Sequence, residues 1–370
     1  MGERVQLTLG PERRRPLPGC PGFYVRIDDD LRKCVVFLGF AAGAEKGGID
    51  CIGTGFLLSY DGFGYLITAR HLAERVGGDP FLLRLNKRDG TSENAHVDGA
   101  EWAFHPHSDV DIAVVPFNIP AASPYDLLYL PYELVLDADG LARRPIGIGD
   151  LTYTIGLFKL LHGKRQNLPV LHFGVISLMP QDFETIPIKN WRDNGPDILQ
   201  VQGYLVEAQS LRGLSGSPVF VRPTRVVSTA PPGSIPTGPT FEAAIGAMSE
   251  MQALAPNQRV FLLGLWQGAW DAPPDEILAA QSGKEDRVPV GMGIVLPAQR
   301  IKETLDIDGL RTMREKAKAK RNLQTAATPD SAVSSQVSSV SAQAGDANPN
   351  HLKDFTRLVD VAARKRPQGD

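Results

Sequence analysis

From Cys34 to about Leu296 the chain is a succession of short apolar runs broken by glycine: CVVFLGFA, GTGFLLSY, GYLITARHL, PFLLRLN, DIAVVPF, LTYTIGLF, LHFGVISL, DILQVQG, GSPVFV, VFLLGLW and GMGIVLP. Almost nowhere do apolar residues recur at the three- and four-residue spacing of an amphipathic helix. Many short strands with turn signals between them indicate an all-β fold, an antiparallel barrel or sandwich. Hydrophobic residues make up 42% of the 370 and charged residues 22%, enough for a sizeable core and too apolar for wholesale disorder. The strands read as one all-β unit or two packed barrels, closed by a short helix at AQRIKETL.

Some stretches fall outside this rhythm. Residues 1–33 form an N-terminal extension with scattered charge and proline. Residues 222–258, opening RPTRVVSTAPPGSIPTGPT, form a Pro/Gly-rich insertion longer than an ordinary hairpin loop. Residues 307–323 read as a basic helix, with the run from Arg311 to Arg321 on a solvated face. An Ala/Ser/Gln linker with little to bury covers 324–349. Residues 350–370 spell a short amphipathic helix with Leu352, Phe355, Leu358 and Val359 on one face, either a lid or, as we expect, a docking segment for another protein.

Charge and cysteine content narrow the function classes. A net charge of -3 gives no reason to expect nucleic acid or an anionic membrane as partner. The first residues lack the apolar run and small-residue cleavage site of a secretory signal, and no uncharged stretch is long enough to span a bilayer, so the expected location is cytoplasmic. Cys20, Cys34 and Cys51 are odd in number and lack CxxC spacing, which fits neither a disulfide framework nor a zinc site. Cys34 and Cys51 are expected as buried apolar thiols.

The chemistry is concentrated in three places. LRGLSGSPVF, residues 211–220, sets Ser215 between glycines ahead of an apolar strand. A serine hydroxyl needs a base to take its proton and donors to hold the oxyanion it creates. Of seven histidines, His71 stands at the end of GYLITARHL, where a rigid element hands over to a turn that can aim the ring. Asp111 opens DIAVVPF and would be drawn under the sheet by that apolar run; a buried aspartate accepting the Nδ1 proton would fix the imidazole tautomer. Asp109 lies on the same strand face and is the rival, favoured less because it is further from the apolar run.

Taken in order, His71, Asp111 and Ser215 resemble the trypsin-like serine proteases, and most of all the protease domain of the HtrA-type bacterial enzymes. GTGFLLSYDGFGYLITARHL looks like that family's glycine-led strand pair ending in the histidine, SDVDIAVVPF like its aspartate segment, and IGIGDLTYTIGLF and FGVISL like its next two strands. DILQVQGYLVEAQSLRGLSGSPVF resembles the activation-type loop and nucleophile turn; FLLGLWQG and VGMGIVLPAQRI resemble the last strands. The resemblance spans 34–306 and implies two packed antiparallel six-stranded β-barrels with a helical or disordered C-terminal extension. It implies a cofactor-free, metal-free serine endopeptidase acting on protein or peptide through an acyl-enzyme intermediate. His71 would be the base, Asp111 its orienter, Ser215 the nucleophile, and the N–H groups of Gly213 and Ser215 the oxyanion hole. Substrate would lie along Gln267, Gly268 and Ala269, with Gln209 and Ser210 at the pocket floor, where the lack of charge favours a small or aliphatic residue before the cut.

The sequence departs from the family at several points. Ser217 stands where the family usually has glycine, and Leu214 where digestive trypsins carry an aspartate. The stretch after residue 306 is too short for the PDZ domain usual in HtrA-type enzymes. These departures motivate an alternative, a catalytically silent protease-fold scaffold that binds peptides or protein partners. Two other readings fail: HPHSDVD at 105–111 has HxHxD spacing but reads as a solvated turn rather than a metal site, and GLSGS lacks the final glycine of an α/β-hydrolase elbow, whose histidine must come after the serine. Trp266 and Trp270, flanking the supposed substrate strand, are read as packing residues.

Overall fold

The computed structural model describes residues 27–42, 48–77, 80–98, 100–120, 122–144, 146–181, 185–191, 196, 198–208, 213–223, 260–272 and 288–326. Cys20, Gln209, Ser210, Arg212, the Trp270 side chain, nearly all of the insertion, and the N- and C-terminal extensions lie outside them.

The all-β expectation holds. Strands β1 (Val35–Ala41), β2 (Ile49–Tyr60), β3 (Phe63–Thr68), β4 (Phe81–Asn86), β5 (Ser92–Val97), β6 (Ala103–Phe104), β7 (Ala113–Pro116) and β8 (Leu130–Pro131) form one eight-stranded sheet. Its order is β5-β4-β1-β2-β3-β7-β6, with β8 added alongside β2. The second unit is a closed six-stranded barrel: β9 (Leu151–Gly156), β10 (Val170–Leu178), β13 (Tyr204–Ala208), β14 (Pro218–Arg222), β15 (Phe261–Ala272) and β16 (Val288–Pro297), joined as β10-β13-β16-β15-β14-β9. Between β10 and β13 a hairpin, β11 (Ile186–Lys189) and β12 (Ile198–Val201), forms a two-stranded sheet of its own, with Ile186, Leu199 and Val201 buried in the larger core. Strands so short stay in place because apolar residues fill both faces: β3 is buried along its whole length, and closing the barrel removes the unpaired edge.

The helices are few. Helix α1 (Arg70–Val76) comes directly after β3, α2 (Ala138–Ala142) precedes the barrel, and α3 (Ala298–Leu305) and α4 (Asp308–Ala326) come after it. Helix α3 is the expected closing helix. Helix α4 runs on through Ala326, past the point where the linker was expected to begin, and it is not merely a solvated basic face. Leu310 and Arg314 are buried. The Arg314 guanidinium donates to Leu305 O at 2.7 Å and Tyr65 Oη at 3.2 Å, and lies over the Tyr60 ring. The run of positive charge was legible in the sequence; that one member of it would be the anchor was decided by the sheet beneath. No helix among the described residues is long and apolar enough to cross a membrane.

Two apolar cores result. One fills the barrel with Val206, Leu214, Val219, Leu263, Trp266 and Val295 among others. The larger joins the first sheet to the barrel's outer face through residues such as Phe56, Leu72, Tyr153 and Ile155. Trp266 packs where a Cβ on Gly293 would collide with its ring, so the packing reading of that tryptophan holds. Cys34 and Cys51 are both free and buried, and burial pushes both thiols up, Cys51 to about 11.

Candidate active site

Strand β3 ends at Thr68, Ala69 is extended, and α1 begins at Arg70, so His71 sits in the first turn of a helix rather than at a strand end. First-turn N–H groups have no partner within their own helix, and Ala69 offers no side-chain cap. Asp111, from the segment just before β7, supplies one. Its Oδ1 accepts from the His71 backbone N–H at 2.8 Å and its Oδ2 faces His71 Nδ1 at 2.7 Å. The aspartate is fully buried and the imidazole about a quarter exposed. With a carboxylate against Nδ1, that nitrogen carries the proton and Nε2 is left with a lone pair. Burial pulls the ring toward its neutral form, but the charge and hydrogen bond of Asp111 outweigh it and raise the pKa above 6.5. Asp109, the rival, is exposed and accepts instead from Ser108 Oγ.

Ser215 lies on a turn wedged between the two units. Ser217 N–H donates to Leu214 O at 2.9 Å, closing a four-residue turn with Ser215 second and Gly216 third. Gly216 has φ +82, the conformation a type II turn demands at its third position. A Cβ there would collide with Thr54 O and come within 3.1 Å of Ala69 N, so glycine lets the turn press against the strand end that leads to His71. The peptide after Ser215 is held at both ends: Ser215 O accepts from Thr54 N at 3.0 Å, and Gly216 N–H donates to Trp266 O at 2.9 Å. Trp266 N–H in turn bonds Ser217 O at 2.8 Å, tying the turn to β15. Gly213, at φ +107, packs on Leu157, and its carbonyl accepts from Thr54 Oγ1 at 2.8 Å. Thus the carbonyls of 213, 214 and 215 are all engaged, whereas the N–H groups of Gly213 and Ser215 donate to none of the described residues. Among the described residues Ser215 Oγ makes no hydrogen bond to the His71 ring.

The serine at 217 is accommodated by a compensating glycine. Its Oγ is buried without a hydrogen-bond partner among the described residues and occupies the space a Cβ on Gly156 would fill. Gln267 lies where the β15–β16 register shifts between Trp266 and Gly268; it is 7% exposed, and neither amide atom has a hydrogen-bond partner among the described residues. Gly268 and Ala269 come next, half-buried. Gln209 and Ser210 fall outside the described residues. Sequence reasoning missed Trp191, which lies just past β11 and brings its ring centroid to 6.5 Å from that of His71. It also missed Thr54, whose only signal was its position in the glycine-flanked GTGF.

The HxHxD segment has its own partners. His105 is buried, its Nε2 faces Glu303 Oε2 at 2.8 Å, its Nδ1 accepts from His107 N–H at 3.0 Å, and its ring stacks on His107.

No protein-family model matches the chain, and no curated protein is similar to it. Among solved structures, similar chains include inactive forms of the protease Rv3671c. A serine-to-alanine mutant of it from M. tuberculosis H37Rv is 16% identical with a TM-score of 0.36, over 77% of this chain and 95% of that one. A second inactive form is 16% identical with the same TM-score, over 76% and 96%.

Proposed function

We propose that the protein is a trypsin-like serine endopeptidase that hydrolyses peptide bonds through an acyl-enzyme intermediate. In this reading His71 takes the proton from Ser215 Oγ as the hydroxyl attacks the scissile carbonyl. Asp111 holds the ring in the Nδ1–H tautomer and stabilises the imidazolium. The N–H groups of Gly213 and Ser215 receive the oxyanion, and His71 returns the proton to the leaving amine. The polypeptide substrate adds as a strand beside Gln267–Ala269. What supports the reading is the Asp111–His71 pair at 2.7 Å, together with a turn at Ser215 whose carbonyls are engaged while the Gly213 and Ser215 amides donate to none of the described residues. The likeness to HtrA-type enzymes rests on sequence segments alone, and a cytoplasmic setting stands as part of the same proposal.

The test is labelling with a fluorophosphonate probe, then peptide mapping. The expected result is modification at Ser215, abolished in Ser215→Ala together with peptide turnover. A folded protein that is neither labelled nor active between pH 6 and 9 would refute the reading. A second reading, the silent scaffold, draws on one observation: Ser215 Oγ makes no hydrogen bond to the His71 ring. It requires that wild type and Ser215→Ala capture the same partners uncut.

A further inference from the structure

Thr54 is fully buried, yet every polar group it owns has a partner at the turn or at an element beside it. Its N–H donates to Ser215 O at 3.0 Å. Its carbonyl accepts from Thr68 Oγ1 at 2.7 Å, three residues before His71. Its hydroxyl accepts from Leu157 N–H at 2.9 Å and donates to Gly213 O at 2.8 Å. A hydroxyl has one proton to give, so once Leu157 occupies a lone pair the proton is committed to Gly213. Buried polar groups persist where they are satisfied; a valine would fill the same space without the last two bonds.

The Gly213 carbonyl is the part of the turn that most needs holding. At φ +107 its backbone has the freedom only glycine enjoys, and the peptide planes on either side of it can rotate. The peptide after Ser215 is pinned from two sides, and that after Leu214 by the turn's own bond. The plane that begins at the Gly213 carbonyl is pinned by the Thr54 hydroxyl. We propose that Thr54 is a positioning residue for the oxyanion site: its hydroxyl fixes the Gly213–Leu214 peptide plane, and with it the torsions on either side through which the Gly213 and Ser215 N–H groups, carried on the two neighbouring planes, take their direction toward the developing charge. The inference rests on reading the protein as a serine peptidase, and it goes beyond the triad because Thr54 touches no reacting atom.

The test compares wild type with Thr54→Val, which removes the hydroxyl at nearly constant volume, and Thr54→Ser, which restores it; Thr54→Ala replaces the valine variant should that not fold. Crystal structures of each report the Gly213 carbonyl directly, whether or not the protein is active. Rates of fluorophosphonate labelling and peptide turnover report the consequence. Loss of one oxyanion donor typically costs about 10²- to 10³-fold, so Thr54→Val is expected to lower labelling rate and kcat by about 10- to 100-fold. KM and the midpoint of the pH profile stay unchanged, and Thr54→Ser recovers the rates to within a few fold. An unmoved Gly213 carbonyl in Thr54→Val, or a kcat within twofold of wild type, would overturn the proposal. Absent labelling of wild type would instead sink the peptidase reading, while the carbonyl's orientation in the variant structures still decides what Thr54 holds.

Discussion

The buried carboxylate of Asp111 does two jobs for His71, and both arise from where a helix happens to start. Because α1 begins at Arg70, the His71 N–H is an orphan donor and its ring projects from the same residue; one carboxylate satisfies both. The consequence is measurable. With the His71 pKa raised, the imidazolium persists above pH 6.5 and cannot accept a proton. Labelling and kcat/KM are therefore expected to rise with pH through a midpoint above 6.5. In Asp111→Asn the charge and carboxylate hydrogen bond of Asp111 are lost while burial remains, so the midpoint shifts downward. The tautomer is also lost, so kcat falls by about 10³- to 10⁴-fold. A midpoint that does not move in Asp111→Asn would separate the carboxylate from the titrating base.

At the scale of elements, side chains from one segment repeatedly fix another. The loop between β9 and β10 is strapped to β4: Arg84 donates to Gly163 O at 2.7 Å and Lys164 O at 2.9 Å, and Asn86 and Asn167 exchange hydrogen bonds. This loop begins at Leu157, against which Gly213 packs, so the strap reaches the Ser215 turn by one step. Helix α4 is held in the same manner by Arg314, with Asp61 and Asp306 each at 3.4 Å from its guanidinium. Replacing Arg314 with methionine keeps much of the packed stem and removes the donors to Leu305 O and Tyr65 Oη. Unmet buried hydrogen bonds cost about 1–3 kcal/mol, and the urea midpoint should fall accordingly. An unshifted midpoint would mean that α4 docks through Leu310 and its apolar neighbours alone.

At the scale of the molecule, the chain after the barrel returns to the first sheet. Helix α3 brings Glu303 to His105 in the segment that carries Asp111, and Arg300 and Gln299 complete the cluster. Burial pushes the Glu303 carboxyl up, but hydrogen bonds from His105, Arg300 and Gln299 prevail and bring it down to about 2. A carboxyl depressed on folding contributes stability that is complete above its unfolded value near 4.5 and is lost as pH falls through about 2. Between those values Glu303→Gln is expected to flatten the decline in Tm, while near neutral pH it lowers Tm. Equal acid slopes for both proteins would show that the clasp does not report on folding.

How much of this was legible in the sequence differs by kind of feature. Short apolar runs separated by glycine pointed to strands and an all-β fold, because continuous apolar runs of this length bounded by turn residues suit strands buried on both faces better than helices. The aspartate nearer the apolar run is the one found against His71, since depth under a sheet can be read from neighbouring residues. Thr54, Gly156, Trp191 and Arg314 left almost no local trace. Each acts on a partner far away in the chain: Thr54 on Gly213, Gly156 on Ser217, Trp191 on His71, Arg314 on Tyr65. The sequence by itself determined the strands, their glycine turns and the residue types available for chemistry. Only the tertiary structure decided that a threonine in the first sheet would hold the serine turn of the barrel, because a hydrogen bond between units depends on how they close on one another.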